Sequence, residues 1–239
     1  NKEELERENK QIDNFILRAE KIIKGENEIK LKRLRESIEE LSKNIEDPVK
    51  RKILIFTESR DTLEYLAGKI QQWGFRVNTI HGGMNLEERI DAENTFRNKT
   101  DILIATEAAG EGINLQFCNL MINYDIPWNP NRLEQRMGRI HRYGQSREVY
   151  VHNFVAIDTR EGSVLNRILE KLEEIRSALG SDKVYDVIGE FIESKKVAEA
   201  LTDAALNARD INEILEGTIP EINEEFISQV KENIFSDTL

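Results

Sequence analysis

The residues best suited to do chemistry are the arginines of Gln135-Arg136-Met137-Gly138-Arg139-Ile140-His141-Arg142-Tyr143-Gly144-Gln145, which recur every three positions. Residues three apart share a face of a helix or tight turn, so Arg139 and Arg142 can point at one target. Two planar guanidiniums aimed at one point suit a polyphosphate, whose oxygens accept bidentate, charge-assisted bonds. The plainer alternative is a solvated basic turn paired with some of the chain's many acids. A second candidate is Thr106-Glu107-Ala108-Ala109-Gly110-Glu111-Gly112-Ile113-Asn114-Leu115. Its small residues, with Gly110 and Gly112, let the backbone approach a ligand and point amides outward, the geometry of an anion-binding nest. A simple turn would use the same glycines. His81-Gly82-Gly83-Met84 is a third such place, where the helix that follows could present its N-terminus to a phosphate or the glycines could merely turn the chain.

These segments need a scaffold, and the texture of the sequence supplies one. Lys52 to Thr57 is a short continuous apolar run, as in a strand buried on both faces of a parallel sheet. Asp61-Thr62-Leu63-Glu64 reads as a helix N-cap with its glutamate partner, and Leu63, Leu66, Ile70 and Trp73 give that helix a core stripe, stopped at Gly74. Further strands are expected at Phe75 to Ile80, Asp101 to Ala105, Leu120 to Asp125 and Val149 to Ala156. A capped helix should run from Asn85 to Arg97, and another begins at Asn131 and leads into the arginines. Strand and helix alternate as right-handed crossovers over a parallel sheet demand. In such folds ligands meet the loops at the carboxyl ends of the strands.

Both ends of the chain read as helical. Residues 2 to 46 form two helices split near Gly25-Glu26-Asn27, with Leu31, Leu34, Ile38, Leu41 and Ile45 as one apolar stripe, before Asp47-Pro48 ends the region. A long helix is expected from Ser163 to Leu179, and others over 184–192, 198–206 and 224–234.

With 239 residues, 39% hydrophobic and 33% charged, the composition is that of a helix-rich globular chain with a substantial core. The net charge of -11 argues against a broad nucleic-acid-coating surface but leaves room for a narrow phosphate-tracking groove. A single cysteine, Cys118, excludes an internal disulfide and reads as core. Histidines at 81, 141 and 152 do not form a zinc pattern. No apolar run approaches a membrane span and no signal-peptide core is present, so a cytoplasmic or nuclear setting without membrane contact is expected. The chain starts at Asn1, straight into charged helical sequence, and reads as a piece of a longer protein.

In order, the Ile55-Phe56-Thr57 strand, His81-Gly82-Gly83 with Arg89, Ala105 through Leu115, Asp125-Ile126-Pro127-Trp128-Asn129-Pro130 and Gln135 through Gln145 resemble the second RecA-like lobe of superfamily-two helicases. The Trp128-Asn129-Pro130 and His141-Arg142-Tyr143-Gly144-Gln145 segments are specific to the Swi/Snf-like ATPase branch. The resemblance covers roughly residues 50 to 180. It implies an α/β fold: a RecA-like parallel sheet flanked by helices, with a helical lead-in (1–47), the lobe (48–160) and a helical C-terminal extension (161–239). It implies that Arg139 and Arg142 are arginine fingers, with Gln135 sensing the γ-phosphate. Gly110, Gly112 and Asn114 would lie near the nucleotide sugar, and Thr106, Gly83 and Ser59 would meet nucleic-acid phosphates. Glu107 and Glu111 stand where the family more often has small, apolar or basic residues.

The implied cofactor, ATP with Mg2+, would be bound mainly by a first lobe. The only Gly-Lys pair here, Gly68-Lys69, is followed by Ile70 inside a helix, and there is no Asp-Glu-x-His box. The chain therefore reads as half of an ATPase that acts on double-stranded DNA. Its partners would be that first lobe, duplex DNA and a protein bound by the helical ends. Two alternatives stand beside this: a lobe of another superfamily-two RNA or DNA helicase, or a catalytically silent protein-binding scaffold.

Overall fold

The computed structural model describes residues 2–24, 28–43, 52–107, 113–127, 129–140, 147–179 and 194–206, together with 213, 225–229 and 232. Contacts divide the chain into two units, residues 1–48 and 49–239. The first holds α1 (Lys2–Lys24) and α2 (Ile29–Lys43). In α2, Leu31, Leu34, Ile38 and Leu41 are buried as their spacing predicts, while Ile45 lies outside the described residues.

The second unit is built on β1 (Ile53–Thr57), β2 (Val77–Ile80), β3 (Ile102–Thr106), β4 (Leu120–Asn123) and β5 (Tyr150–Asn153). They form one sheet in the order β2-β3-β1-β4-β5, and every pairing is parallel. This is the RecA-like arrangement implied by the motifs. β1, β3 and β4 are buried at every position, which is why their sequences run apolar without alternation. β5 is an edge strand and only half-buried.

Helices cover both faces. α3 (Arg60–Gln72) joins β1 to β2 leftward past β3, and α4 (Leu86–Asn98) returns rightward to β3, so right-handed crossovers put them on opposite sides. Ala92 and Phe96 of α4 pack with Leu54, Phe56, Leu103, Ala105 and Met121, the alternate residues of the three central strands. α3 turns Leu63, Leu66 and Ile70 inward and ends where Gly74 adopts φ +91°, the left-handed geometry that glycine tolerates best. α5 (Pro130–Met137), α6 (Arg160–Leu179) and α7 (Ser194–Leu206) follow in this unit, with a further helical stretch at 225–229, and α6 packs on α7.

Two helix starts differ from the sequence reading. Ser59, not Asp61, caps α3: its extended backbone leaves Oγ to accept from the Thr62 amide at 3.1 Å, and Glu64 pairs with Arg60 instead. α6 begins at Arg160 rather than Ser163, because Thr159 caps it with Oγ1 accepting from the Gly162 amide at 3.0 Å. The cap of α4 is as expected, with Asn85 and Glu88 exchanging both bonds of a capping box. The helix expected over 184–192 lies outside the described residues; of that expected over 224–234, residues 225–229 and 232 are described and are helical.

Candidate functional site

Because the strands are parallel, their carboxyl ends share one edge of the sheet, and a cleft of about 590 Å³ opens there. Each wall comes from a strand exit. β1 supplies Phe56 and Glu58, β2 leads into His81, Gly82 and Gly83, and β3 ends in Thr106 and Glu107. Arg132, Gln135 and Arg136 of α5, with Arg139 just beyond it, close the cleft.

Four of the residues singled out from the sequence, Gly83, Thr106, Gln135 and Arg139, meet in this cleft. Thr106 is buried at the tip of β3, and a side chain at Gly83 would press on His81 Nδ1 at 3.3 Å. Arg89 holds the glycine turn against α4, donating from Nε to the Met84 carbonyl at 3.1 Å. Ser59 serves as a helix cap, and Asn114 is exposed away from the cleft: its amide donates to Glu93 and its Oδ1 accepts from the Gln116 amide, both at 3.1 Å. Gly110, Gly112 and Arg142 lie outside the described residues, as do Trp128 and His141.

The triplet spacing of the arginines hides a split in their roles. Arg136 is only 2% exposed and points into the lobe. Its Nη1 donates to the Asp125 carbonyl at 2.6 Å and to Asn123 Oδ1 at 3.2 Å, both at the end of β4. Its guanidinium lies 5.1 Å from the centre of the Phe56 ring. Nε stands 3.3 Å from Glu107 Oε1, close enough for an ion pair but without hydrogen-bond geometry, and Nη2 is buried with no hydrogen-bond partner. Glu107 directs its bond elsewhere, accepting from Arg132 Nη1 at 2.8 Å. It therefore bridges a buried arginine and an exposed one.

Burial lowers the proton affinity of Arg136, against the pull of Glu107, Glu58 and Asp125, but a guanidinium keeps its charge in any protein setting. Burial likewise pushes the Glu58 carboxyl above its ordinary range, with Arg136 opposing. Asp125 joins β4 to β1 by accepting from Thr57 Oγ1 at 2.5 Å. His81 Nδ1, at the cleft wall, is buried and has no hydrogen-bond partner.

Sequence reasoning gave Glu107 no positive role and left Arg136 inside the repeat. One signal was available: Leu133, Arg136 and Ile140 follow the three-and-four spacing of a helix's inward face. Among the described residues no group of three His, Cys, Asp or Glu side chains could hold a metal ion. The arginine-lined, glycine-walled cleft nevertheless fits an oxyanion-bearing ligand, and Gln135 and Arg139 are the side chains placed to meet one.

Residues 31–144 match the family described as the helicase conserved C-terminal domain. The chain is 48% identical over 141 residues to an uncharacterized ATP-dependent helicase of Bacillus subtilis, YqhH, covering 59% of this chain and 25% of that protein. It is 31% identical over 169 residues to the helicase swr1 of Aspergillus fumigatus, covering 65% of this chain and 10% of the relative. Among solved structures, the yeast DEAD-box splicing factor Prp28 aligns with a TM-score of 0.50 at 27% identity, over 61% of this chain and 30% of that one. The fold and this match define a superfamily-two helicase C-terminal domain of RecA-like architecture. Within that class the chain is related to the Swi/Snf-family ATPases. It spans a quarter or less of the length of these two curated relatives.

Proposed function

We propose that the chain is the C-terminal motor lobe of an ATP-dependent, double-stranded DNA translocase of Swi/Snf type. In this reading Arg139 and Arg142 act as arginine fingers on ATP with Mg2+ held mainly by a first lobe elsewhere in the parent polypeptide. One observation carries it: Gln135 and Arg139 share a cleft with Gly83 and Thr106 at the carboxyl edge of the parallel sheet. Phosphoryl transfer spreads negative charge over the γ-phosphoryl oxygens, and a guanidinium brought there by lobe closure stabilises it without reorganising at the moment of reaction. Gly83 and Thr106 bring backbone and a hydroxyl to the same edge, where a DNA phosphate could be held while the lobes open and close.

Arg139→Ala in the full-length protein should lower DNA-stimulated ATP turnover by about a thousandfold or more, the range of known arginine fingers. Near-normal turnover would remove the finger assignment. The similarity to a DEAD-box splicing factor supports a second reading, an unwinding helicase of the same superfamily. Displacement of a triplex-forming strand from intact duplex without duplex unwinding supports the translocase, whereas ATP-dependent duplex separation supports the helicase.

A further inference from the structure

α5 has only eight residues, too few for a helix to hold its own shape or direction in water. Leu133 and Ile140 anchor this segment through apolar burial. Its polar anchor is Arg136, whose two hydrogen bonds fasten it to the end of β4. Asn123, one acceptor of those bonds, is itself oriented by donating from Nδ2 to Asn153 Oδ1 at 2.8 Å, which carries the fastening to β5. The Arg139 amide in turn donates to the Arg136 carbonyl at 3.1 Å, so a shift of Arg136 is passed directly to the residue that faces the cleft.

A buried guanidinium needs a counter-charge. Glu58 is exposed and, among the described residues, forms no ion pair with Arg136. Asp125 uses its carboxylate to accept from Thr57 Oγ1 and, at 3.4 Å, the Glu58 amide, and offers Arg136 its backbone carbonyl. Glu107 lies closest in charge, 3.3 Å from Arg136 Nε, and Arg132 steadies the carboxylate from the exposed side. From these contacts we infer that Glu107 is a positioning residue: its bridge between Arg132 and Arg136 ties the end of β3 to α5 and sets the direction in which Arg139 enters the cleft.

The inference rests on Arg139 acting as a finger, and the test keeps the two apart. Glu107→Gln and Arg139→Ala, singly and together, are compared in the full-length protein by ATP turnover at saturating duplex DNA, with single-turnover runs for the slow variants. Glu107→Gln keeps the side chain's size and removes its charge. It should lower kcat by about tenfold to a hundredfold, the loss that small misplacements produce, with KM for ATP changed by less than about twofold. Combined with Arg139→Ala it should add no further loss, because a residue that works through Arg139 has nothing left to position. Glu107→Asp, which keeps the charge but withdraws it by one methylene, should fall between wild type and Glu107→Gln and carries the same comparison should Glu107→Gln not fold.

Full turnover by Glu107→Gln beside a crippled Arg139→Ala would overturn the positioning role and leave the finger standing. An equal fractional loss in both backgrounds would show that Glu107 only supports the fold, which also overturns it. A near-normal Arg139→Ala would instead bring down the finger reading itself.

Discussion

Replacing glycine by alanine at two helical positions should have opposite effects, and the structure sets both signs. Gly162 lies in the first turn of α6 and is buried. A methyl group there would overlap the Ala156 carbonyl oxygen, sit 2.6 Å from the Ala156 carbonyl carbon and press on Thr159 Oγ1 at 2.8 Å. Two of these neighbours are backbone, and the third is committed to the helix cap, so nothing nearby yields cheaply. Overpacking typically costs 1–3 kcal/mol, and with rigid neighbours the upper end applies, about 3 kcal/mol. Gly68 is an exposed interior residue of α3 with nothing within 4 Å of a new methyl group. There alanine removes the helix penalty of glycine and should add about 1 kcal/mol. Urea unfolding followed by helical circular dichroism separates the two: with a slope near 3 kcal/mol per molar, Gly162→Ala should lower the midpoint by about 1 M and Gly68→Ala should raise it by about 0.3 M. A Gly162→Ala protein with the wild-type midpoint would refute the close approach of α6 to Ala156. A destabilised Gly68→Ala would refute the open exposure of α3.

Burial pushes the Cys118 thiol up to about 12, so in the folded chain it should resist thiol-specific reagents at neutral pH and react only on unfolding; rapid labelling of native protein would contradict its place in the core. Burial pulls the Asp101 carboxyl up, but hydrogen bonds from the Arg76 side chain and amide outweigh it and hold it below the usual aspartate value. Its contribution to stability is therefore present above the unfolded pKa of about 3.9 and lost as pH falls through the lower folded value. Arg76→Ala should flatten stability against pH between about pH 5 and pH 2, and an unchanged slope would exclude the pair as its source. Binding of the full-length protein to duplex DNA should weaken linearly in the logarithm of salt concentration. A flat response would dismiss the proposed phosphate track.

The sheet was readable because its chemistry is local. Ile53 to Phe56 and Ile102 to Ala105 are continuous apolar runs, and burial on both faces is what such runs require. Helix starts were less readable where two caps compete. Ser59 and Asp61 both offer an oxygen, and the exit of β1 decides between them by leaving Ser59 extended at φ -98°, ψ 142°. In the same way the helix expected from Ser163 starts earlier, because Gly162 is small enough to let the first turn of α6 lie against Ala156. The meeting of Gly83, Thr106, Gln135 and Arg139 could be inferred from motif order. The inward turn of Arg136 was signalled only by its helical spacing with Leu133 and Ile140; the groups it meets, Glu107 and the end of β4, lie elsewhere in the sequence, and no local spacing names them.

The amino ends of the same strands are fastened differently. Lys52 Nζ donates to the Thr100 carbonyl at 2.6 Å, Arg76 clasps Asp101 at 2.6 Å, Thr100 Oγ1 donates to Asn78 at 2.6 Å, and Asn119 donates to the Glu148 carbonyl at 2.8 Å. None of these residues lines the cleft. A strand of four or five residues spans roughly 15 Å, so one rim of the domain can be reinforced for experimental handling while the opposite rim keeps its native groups. Durability and activity should thus be separable traits in this lobe, each open to selection without disturbing the other.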